Sequence, residues 1–421
     1  MKMHTRPIVE PEDGSAAAIA AADDAVLGHV APGFEPVRTA FSDSFRRGAE
    51  IGAALAVYMG SELVVDLWGG LSDSRSGQPW REDTLALVFS TTKGLAALTL
   101  ALAHSRGWLD YERAVASYWP EFASNGKESI TVRQLLAMEA GLSSIDEPLT
   151  PQLIDDLDAL STVLARQKPQ WIPGTRRGYH PVSLGFYQNE LMRRVDPQHR
   201  TIGEVLRQEL AAPLRADAYI GLPDDIPEER VAHLERRASF AEQMGSLKIY
   251  PSRFLLGMMW PGNITRGAFT NPRIRTLETF NTRPWLKVQM PSANAVANAR
   301  GIARMYGEFA SGGRRLGLKR ETLDLLEAAA PQPTSAALDA VLHIESGYSL
   351  GFWKPCPSFQ PGANARVYGT PGAGGSVGFA DPSLALGFAY VPNRIGLHMI
   401  EDPRANALRA AVYRCARAHR G

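Results

Sequence analysis

The chain has 421 residues, 45 Lys and Arg against 44 Asp and Glu, and a formal net charge of +1. A balance this close provides no long-range field for a polyanion, which excludes nucleic acid or an anionic membrane surface as principal partner. The two cysteines, Cys356 and Cys415, exclude a disulfide framework and a four-cysteine zinc site, and a length worth roughly two to three average domains leaves ample core to bury.

Residues 1–24 read as an N-terminal arm. Its apolar run, 16–22, has acids on both sides and no basic segment leading into it, which fits the start of an amphipathic surface helix and not a secretory signal. No later apolar stretch reaches about 18 residues free of Gly, Pro and charge, so no membrane span is expected and a cytoplasmic location is. Residues 51–59 and 62–68 flank the turn dipeptide Gly60-Ser61 and predict a β-hairpin. After the apolar run 85–89, Ser90 opens a segment that is apolar on nearly every face as far as Ala103, the mark of a buried helix. Helical patterns dominate next, over 131–138, 151–165, 182–195 and 202–210. Residues 376–380 and 384–391 flank Asp381-Pro382-Ser383 as a second strand pair, ahead of a final helix over 403–418. Strands at both chain ends around a helical middle predict an α/β (α+β) fold. Its discontinuous α/β domain takes 25–115 and 288–421, its helical domain 116–287, and a ligand cleft lies between them.

Only eight of the basic residues are lysine, and two of them close an S-x-x-K. Ser124 and Lys127 lie in the polar, turn-like SNGKES and read as a solvated loop. Lys93 stands one turn after Ser90 at the start of the buried helix, where the helix dipole and lost hydration both favour a neutral amine. At i and i+3 the Lys93 amine can reach the Ser90 hydroxyl, and the backbone N–H groups of a helix N-terminus favour developing negative charge there. This is the pattern of an activated serine nucleophile; taken alone, the same residues also fit a helix-capping serine and a snorkelling lysine. Tyr179 ends the Pro/Gly-rich loop WIPGTRRGYHP, where it can project into a cleft. Close to amine groups its pKa is expected to fall, which would suit a proton shuttle. The glycine-rich stretch 368–376, with Gly372 and Gly374, enters an apolar strand and lets a backbone N–H approach a ligand, completing an oxyanion site with the N–H of Ser90.

VFSTTKGLAALTL, WIPGTRRGYH and GTPGAGGSVGFADP, in that order, resemble the motifs of the serine β-lactamase and penicillin-binding-protein superfamily, most of all its family VIII carboxylesterases. GWLDYERAVASYWPEF, TVRQLLAMEAGL and PSANAVANARGIARMYGEFASGG extend the resemblance over most of the chain. It implies helices on an antiparallel sheet beside a helical domain, with Ser90 as nucleophile, Lys93 as its base, Tyr179 as proton shuttle and Ala373 as the strand N–H that joins Ser90 at the oxyanion. The implied activity is hydrolysis of small carboxylic esters through an acyl-serine, with no cofactor; a β-lactamase or peptidase, an acyltransferase and a non-catalytic binder are the alternatives. Three departures stand out. Pro181 replaces the Asn of the lactamase and peptidase branches, Thr370-Pro371-Gly372 replaces Lys-Thr-Gly and so lacks the cation that meets a substrate carboxylate, and Met138-Glu139 replaces a His-polar pair. A site without that cation suits neutral esters.

Two rival patterns lack the context they need. Gly374-Gly-Ser376-Val-Gly378 satisfies the G-x-S-x-G of an α/β-hydrolase, but no helix pattern follows the serine and His398 and His419 are the only downstream histidines. His343-Ile-Glu345 with Pro355-Cys356 lacks the second cysteine of a zinc deaminase, and the nine histidines show no metal-ligand spacing. The pocket walls are expected from the aromatic-rich segments 250–260 and 280–285.

Overall fold

The computed structural model describes residues 26–236, 248–331, 338–362 and 364–419; the expected helix at 16–22 lies outside them. The elements that place the site are, in chain order, β1 (Val26–Val30), α1 (Glu35–Arg46), β2 (Gly52–Met59), β3 (Glu62–Asp73), α2 (Thr91–Ser105), α3 (Ser183–Val195), α4 (Ala299–Ala310), β4 (Tyr348–Ser349), β5 (Phe352–Trp353), β6 (Tyr368–Pro371), β7 (Val377–Asp381), β8 (Leu386–Pro392) and α5 (Pro403–Ala418). The main sheet runs β1-β3-β2-β8-β7-β6-β5-β4, with a two-residue strand, Gln78–Pro79, beside β3. All its pairings are antiparallel. Its centre is the long-range pairing of β8 with β2, from Leu386 opposite Met59 to Pro392 opposite Ala53. Asn393 closes that seam by accepting the Gly52 N–H on its side-chain oxygen at 2.9 Å across 341 residues of sequence.

Both expected hairpins and the final helix are present. The helix at 131–138 is shorter, Val132–Leu136, started by a Thr131/Gln134 capping box and followed by Met138 at φ 60°. The expected helix 151–165 breaks in two because Asp156 turns its carboxylate onto the Ala159 N–H and caps Leu157–Arg166. A small sheet of Ala86–Leu87, Val296–Ala297 and Ala218–Tyr219 was not foreseen, since two-residue strands carry no periodicity. No helix among the described residues is long and apolar enough to cross a membrane.

Alternation along β7 and β8 explains how helices cover both sheet faces. Gly378, Ala380, Gly387 and Ala389 share one face, and register pairs them across the two strands. These small residues let α4 lie against the backbone: a methyl on Gly378 would strike Ile302 and Tyr306, and one on Gly387 would strike Ala303 O and Gly307 N. The opposite face is large. Phe379 stacks on Phe388 with ring centroids 4.8 Å apart and on Tyr413 of α5 at 6.3 Å, while the Tyr413 hydroxyl donates to Asp381 at 2.8 Å. Gly387→Ala is therefore expected to lower stability by about 1–3 kcal/mol through overpacking of α4, with the native circular-dichroism spectrum retained; urea unfolding measures it.

Candidate active site

Strand Ala86–Leu87 leads into a strained turn. Phe89 has φ 43°, a left-handed conformation uncommon for a bulky residue. Several contacts hold it there: its ring meets Phe280 edge-on at 5.2 Å, and Thr92 Oγ donates to its carbonyl at 2.5 Å while accepting the Ala295 N–H at 2.9 Å. Ser90 follows at φ −67°, directly ahead of α2, and its side chain makes no capping hydrogen bond to the helix. Every α2 residue from Thr91 to Ala103 is buried. Neither half of the capping-and-snorkelling alternative matches this geometry.

Lys93 is fully buried and has no carboxylate partner among the described residues. Its Nζ lies 2.6 Å from Pro181 O, 2.9 Å from Ser292 O and 3.3 Å from Ser90 Oγ. Burial holds its pKa well below the ordinary lysine value. A neutral amine has two N–H donors and one lone pair, and the environment fits that inventory: two carbonyls take the donors and the remaining direction faces the serine. Pro181 lacks the amide side chain of the related branches, but its backbone carbonyl takes up part of the same task. Ser292 was not among the expected site residues. It lies in the PSANA stretch, and its own hydroxyl accepts the Gly185 N–H of α3 at 2.6 Å, which fixes the carbonyl that Lys93 uses.

Tyr179 is buried and comes to the same place. Its ring lies under Lys93 Nζ, 5.0 Å from the centroid, and its phenol is close enough to Ser90 for that hydroxyl to favour the phenolate. The expected fall in its pKa does not occur. Burial is the largest influence and pushes the phenol well above the ordinary tyrosine value, and the negative charge of Asp339 adds to the rise; a lysine that is itself neutral offers no compensating field. Tyr179 is thus set to give a proton, not to rest as a phenolate. His180 beside it is an internal strut: Nε2 accepts the Leu142 N–H at 3.1 Å, Nδ1 meets Gly178 O at 2.5 Å, and burial lowers its pKa to about 4.

The end of β6 presses on the serine turn. A methyl on Gly372 would collide with Val88 O and Ser376 Oγ, so only glycine permits this approach. Ser376 Oγ donates to Val88 O at 2.7 Å and lies 3.0 Å from Thr91 Oγ. The rival nucleophile is therefore a buried tie between strand and turn, and a strand, β7, follows it where the rival fold needs a helix. Gly372 and Gly374 are not free to donate to a ligand: the Gly372 N–H is taken by Ser376 O at 2.7 Å and the Gly374 N–H by His398 O at 3.3 Å. Their part is to shape the turn, Gly374 with φ +87°. Among the described residues the N–H groups of Ala373 and Ser90 have no acceptor, which leaves this pair available to an oxyanion.

Position 370 carries no charge into the cleft. Thr370 is buried, its hydroxyl donating to Thr91 O at 3.2 Å. Arg404 holds the glycine turn through Gly374 O at 2.6 Å and is paired with Glu50 and Asp402. Met138-Glu139, unexplained by the sequence, sits behind Tyr179: Met138 Sδ accepts the His180 N–H at 3.5 Å and Glu139 pairs with the buried Arg177 at 3.5 Å. No cluster of metal-binding side chains lies among the described residues.

The second S-x-x-K lies in the exposed turn expected, but its lysine side chain does not face solvent. Lys127 is fully covered and donates to Ser124 O at 2.9 Å, Ala165 O at 2.8 Å and Gln167 O at 2.7 Å, closing the carbonyl end of Leu157–Arg166. Burial lowers its pKa to about 8, but Ser124 gives its own proton to Ala165 O at 2.5 Å, and the pair is structural.

With this geometry in view, comparison with known proteins is informative. The family described as Beta-lactamase matches residues 37–412. Esterase/beta-lactamase LipL of Mycobacterium tuberculosis is 32% identical over 381 residues, covering 88% of this chain and 83% of LipL. Among solved structures, a family VIII carboxylesterase superposes with a TM-score of 0.81 at 34% identity, covering 93% of this chain and 99% of the other. A penicillin-binding protein homolog from Caulobacter crescentus gives 0.80 at 35% identity, with the same coverage of 93% and 99%.

Lys127→Met should lower stability by about 2–4 kcal/mol, since it strands buried carbonyls, and leave turnover at the Ser90 site within about threefold of wild type; thermal unfolding and initial rates report the two effects separately.

Proposed function

The chain belongs to the beta-lactamase family, and from that membership and the geometry around Ser90 we propose a serine hydrolase of carboxylesterase type, acting on small neutral esters through an acyl-Ser90 intermediate. The observation that carries this reading is the buried Lys93 amine, with no carboxylate partner among the described residues, whose free direction meets Ser90 Oγ at 3.3 Å.

Lys93 accepts the Ser90 proton as Oγ attacks the ester carbonyl carbon. The carbonyl oxygen becomes an anion between the N–H groups of Ser90 and Ala373, aided by the N-terminus of α2. The new ammonium forms over the Tyr179 ring face, where a cation is favoured. Collapse breaks the bond to the leaving alkoxide, which takes the Tyr179 proton; the ammonium restores that proton to the phenol. Water enters by the same route in reverse and releases the acid. Because the reaction needs the free amine, kcat/KM rises with pH through the lowered Lys93 pKa and is already developed below the ordinary lysine range.

Substrate choice follows from the walls. An apolar cleft of about 180 Å³ is lined by Tyr250, Phe254, Leu342, Ile344, Met399 and Ile400, below the ~300–1,000 Å³ of sites for drug-sized ligands. Phe254 packs on Phe269 at 5.7 Å and Phe269 on Tyr179 at 6.5 Å. The cleft reaches the site residues through these ring contacts; beside Met399, His398 O accepts the Gly374 N–H, and Tyr250 donates to Leu397 O at 2.7 Å. A short hydrocarbon chain fits there; a carboxylated lactam finds no cation at Thr370.

Ser90→Ala should abolish hydrolysis of p-nitrophenyl acetate while Ser376→Ala retains most of it, and nitrocefin should turn over at least about 100-fold more slowly than the ester for want of a charge partner. The reverse order of either pair would sink the assignment. Met399→Trp, by filling the cleft, should lower the hexanoate-to-acetate ratio of kcat/KM by about tenfold or more, read from a p-nitrophenyl ester series.

A further inference from the structure

Asp339 is completely buried and lies 160 residues from Tyr179 in sequence. One of its oxygens accepts three backbone N–H groups, those of Tyr179 at 3.1 Å, Val341 at 2.8 Å and Leu342 at 2.7 Å. The other accepts the Tyr348 hydroxyl at 2.7 Å and that of Ser346 at 3.3 Å. Burial raises the Asp339 pKa above the ordinary carboxylate value, and the backbone N–H groups and the Tyr348 hydroxyl oppose that rise by favouring the charged form; backbone amides can only donate, so the first oxygen is held as an acceptor. No cation pairs with it among the described residues. The charged and titratable groups around it have other partners: Arg177 donates to Ser346 O at 2.7 Å and pairs with Glu139, and His343, its pKa lowered by burial, meets Thr265 Oγ at 3.3 Å. Lys93 Nζ lies 5.0 Å from the Tyr179 ring centroid, and Arg253 is near His343.

A buried carboxylate with no ion pair is costly, and this one is spent on a single place in the chain. It ties the loop ending at Tyr179 to the segment that carries Tyr348. The Tyr348 and Trp353 rings in turn pack on Tyr179 with centroids 6.1 and 5.9 Å away. Resting on the function proposed above, we propose that Asp339 is a positioning residue for acyl transfer: by holding the Tyr179 peptide on one oxygen and the Tyr348 hydroxyl on the other, it sets the phenol beside Ser90 and faces it with a fixed negative charge. That charge opposes formation of a phenolate and keeps Tyr179 a proton donor as the pH rises, in the direction already noted for its pKa.

Asp339→Asn keeps the shape and removes the charge. With p-nitrophenyl acetate it should lower kcat by about 10- to 100-fold, the scale of a misplaced catalytic group, with KM within about threefold. The alkaline limb of the kcat profile should move to lower pH by about one unit, because the phenol ionises more readily once the facing charge is gone. A purely structural role would lower the yield of folded enzyme and leave the profile of what remains unmoved. Wild-type kcat, or an unmoved alkaline limb, in folded Asp339→Asn overturns the proposal. Tyr348→Phe is the companion variant, which keeps the Asp339 charge and loosens its second oxygen. A several-fold loss in kcat without a downward shift of the alkaline limb is expected; an unchanged kcat overturns the proposal even where Asp339→Asn does not fold. The wild-type enzyme separates the two levels of argument: failure to hydrolyse the ester and to form a phosphonate adduct at Ser90 refutes the function itself, whereas a wild type active in both with silent variants refutes only the part given to Asp339.

Discussion

An amine kept in the core without a counter-ion is the constraint around which this molecule is arranged. Lys93 could be neutralised by a nearby carboxylate at little structural cost, and it would then be a poor base. Instead the fold surrounds it with two carbonyls, Pro181 O and Ser292 O, from two segments far apart in sequence, and lets burial strip the charge. Each of those carbonyls must be placed by its own packing: Pro181 by the loop that carries Tyr179, Ser292 by the hydroxyl contact with α3. The base strength of one side chain therefore depends on several elements at once.

The same demand accounts for the crowding around the serine turn. Phe89 is held in a left-handed conformation, Gly372 lies against Val88 O, and Ser376 ties the two together. Among the described residues the N–H groups of Ser90 and Ala373 have no acceptor, while that of Gly372 is satisfied within the turn and that of Gly374 by His398 O. Behind the site, the small-residue face of β7 and β8 lets α4 approach closely, and the large-residue face binds α5. The sheet that delivers the glycine turn is thus fixed from both sides.

Lysine shows where reading by pattern reaches its limit. Both S-x-x-K lysines are buried, and so is Lys354, whose Nζ donates to Leu326 O at 2.8 Å. Local sequence separates their settings, an apolar helix for Lys93 and a polar turn for Lys127, but not the burial that the two amines share. What differs is the company supplied by distant segments: Lys127 closes a helix end with three carbonyls and its serine is itself committed to Ala165 O, whereas Ser90 keeps its hydroxyl for the lysine and the tyrosine. Asp339 was invisible for the same reason. A lone acid in the apolar run Ala337-Leu-Asp-Ala-Val-Leu342 is a faint signal, and its meaning comes only from meeting the Tyr179 amide. The direction of the Tyr179 pKa was misjudged because proximity to an amine suggests a cation, and burial of that amine removes it.

From residues alone one could read the hairpins, the final helix, the buried helix behind Ser90, the ordered motifs that place Ser90, Lys93, Tyr179 and Ala373, and the missing cation at Thr370. These depend on periodicity and on short spacings, which survive without coordinates. Only the tertiary structure decided which S-x-x-K carries a free serine, which glycine-turn amide remains open, what holds the lysine neutral and what holds the tyrosine in place. Those answers are set by partners far apart in the chain, and by how completely folding removes water from between them.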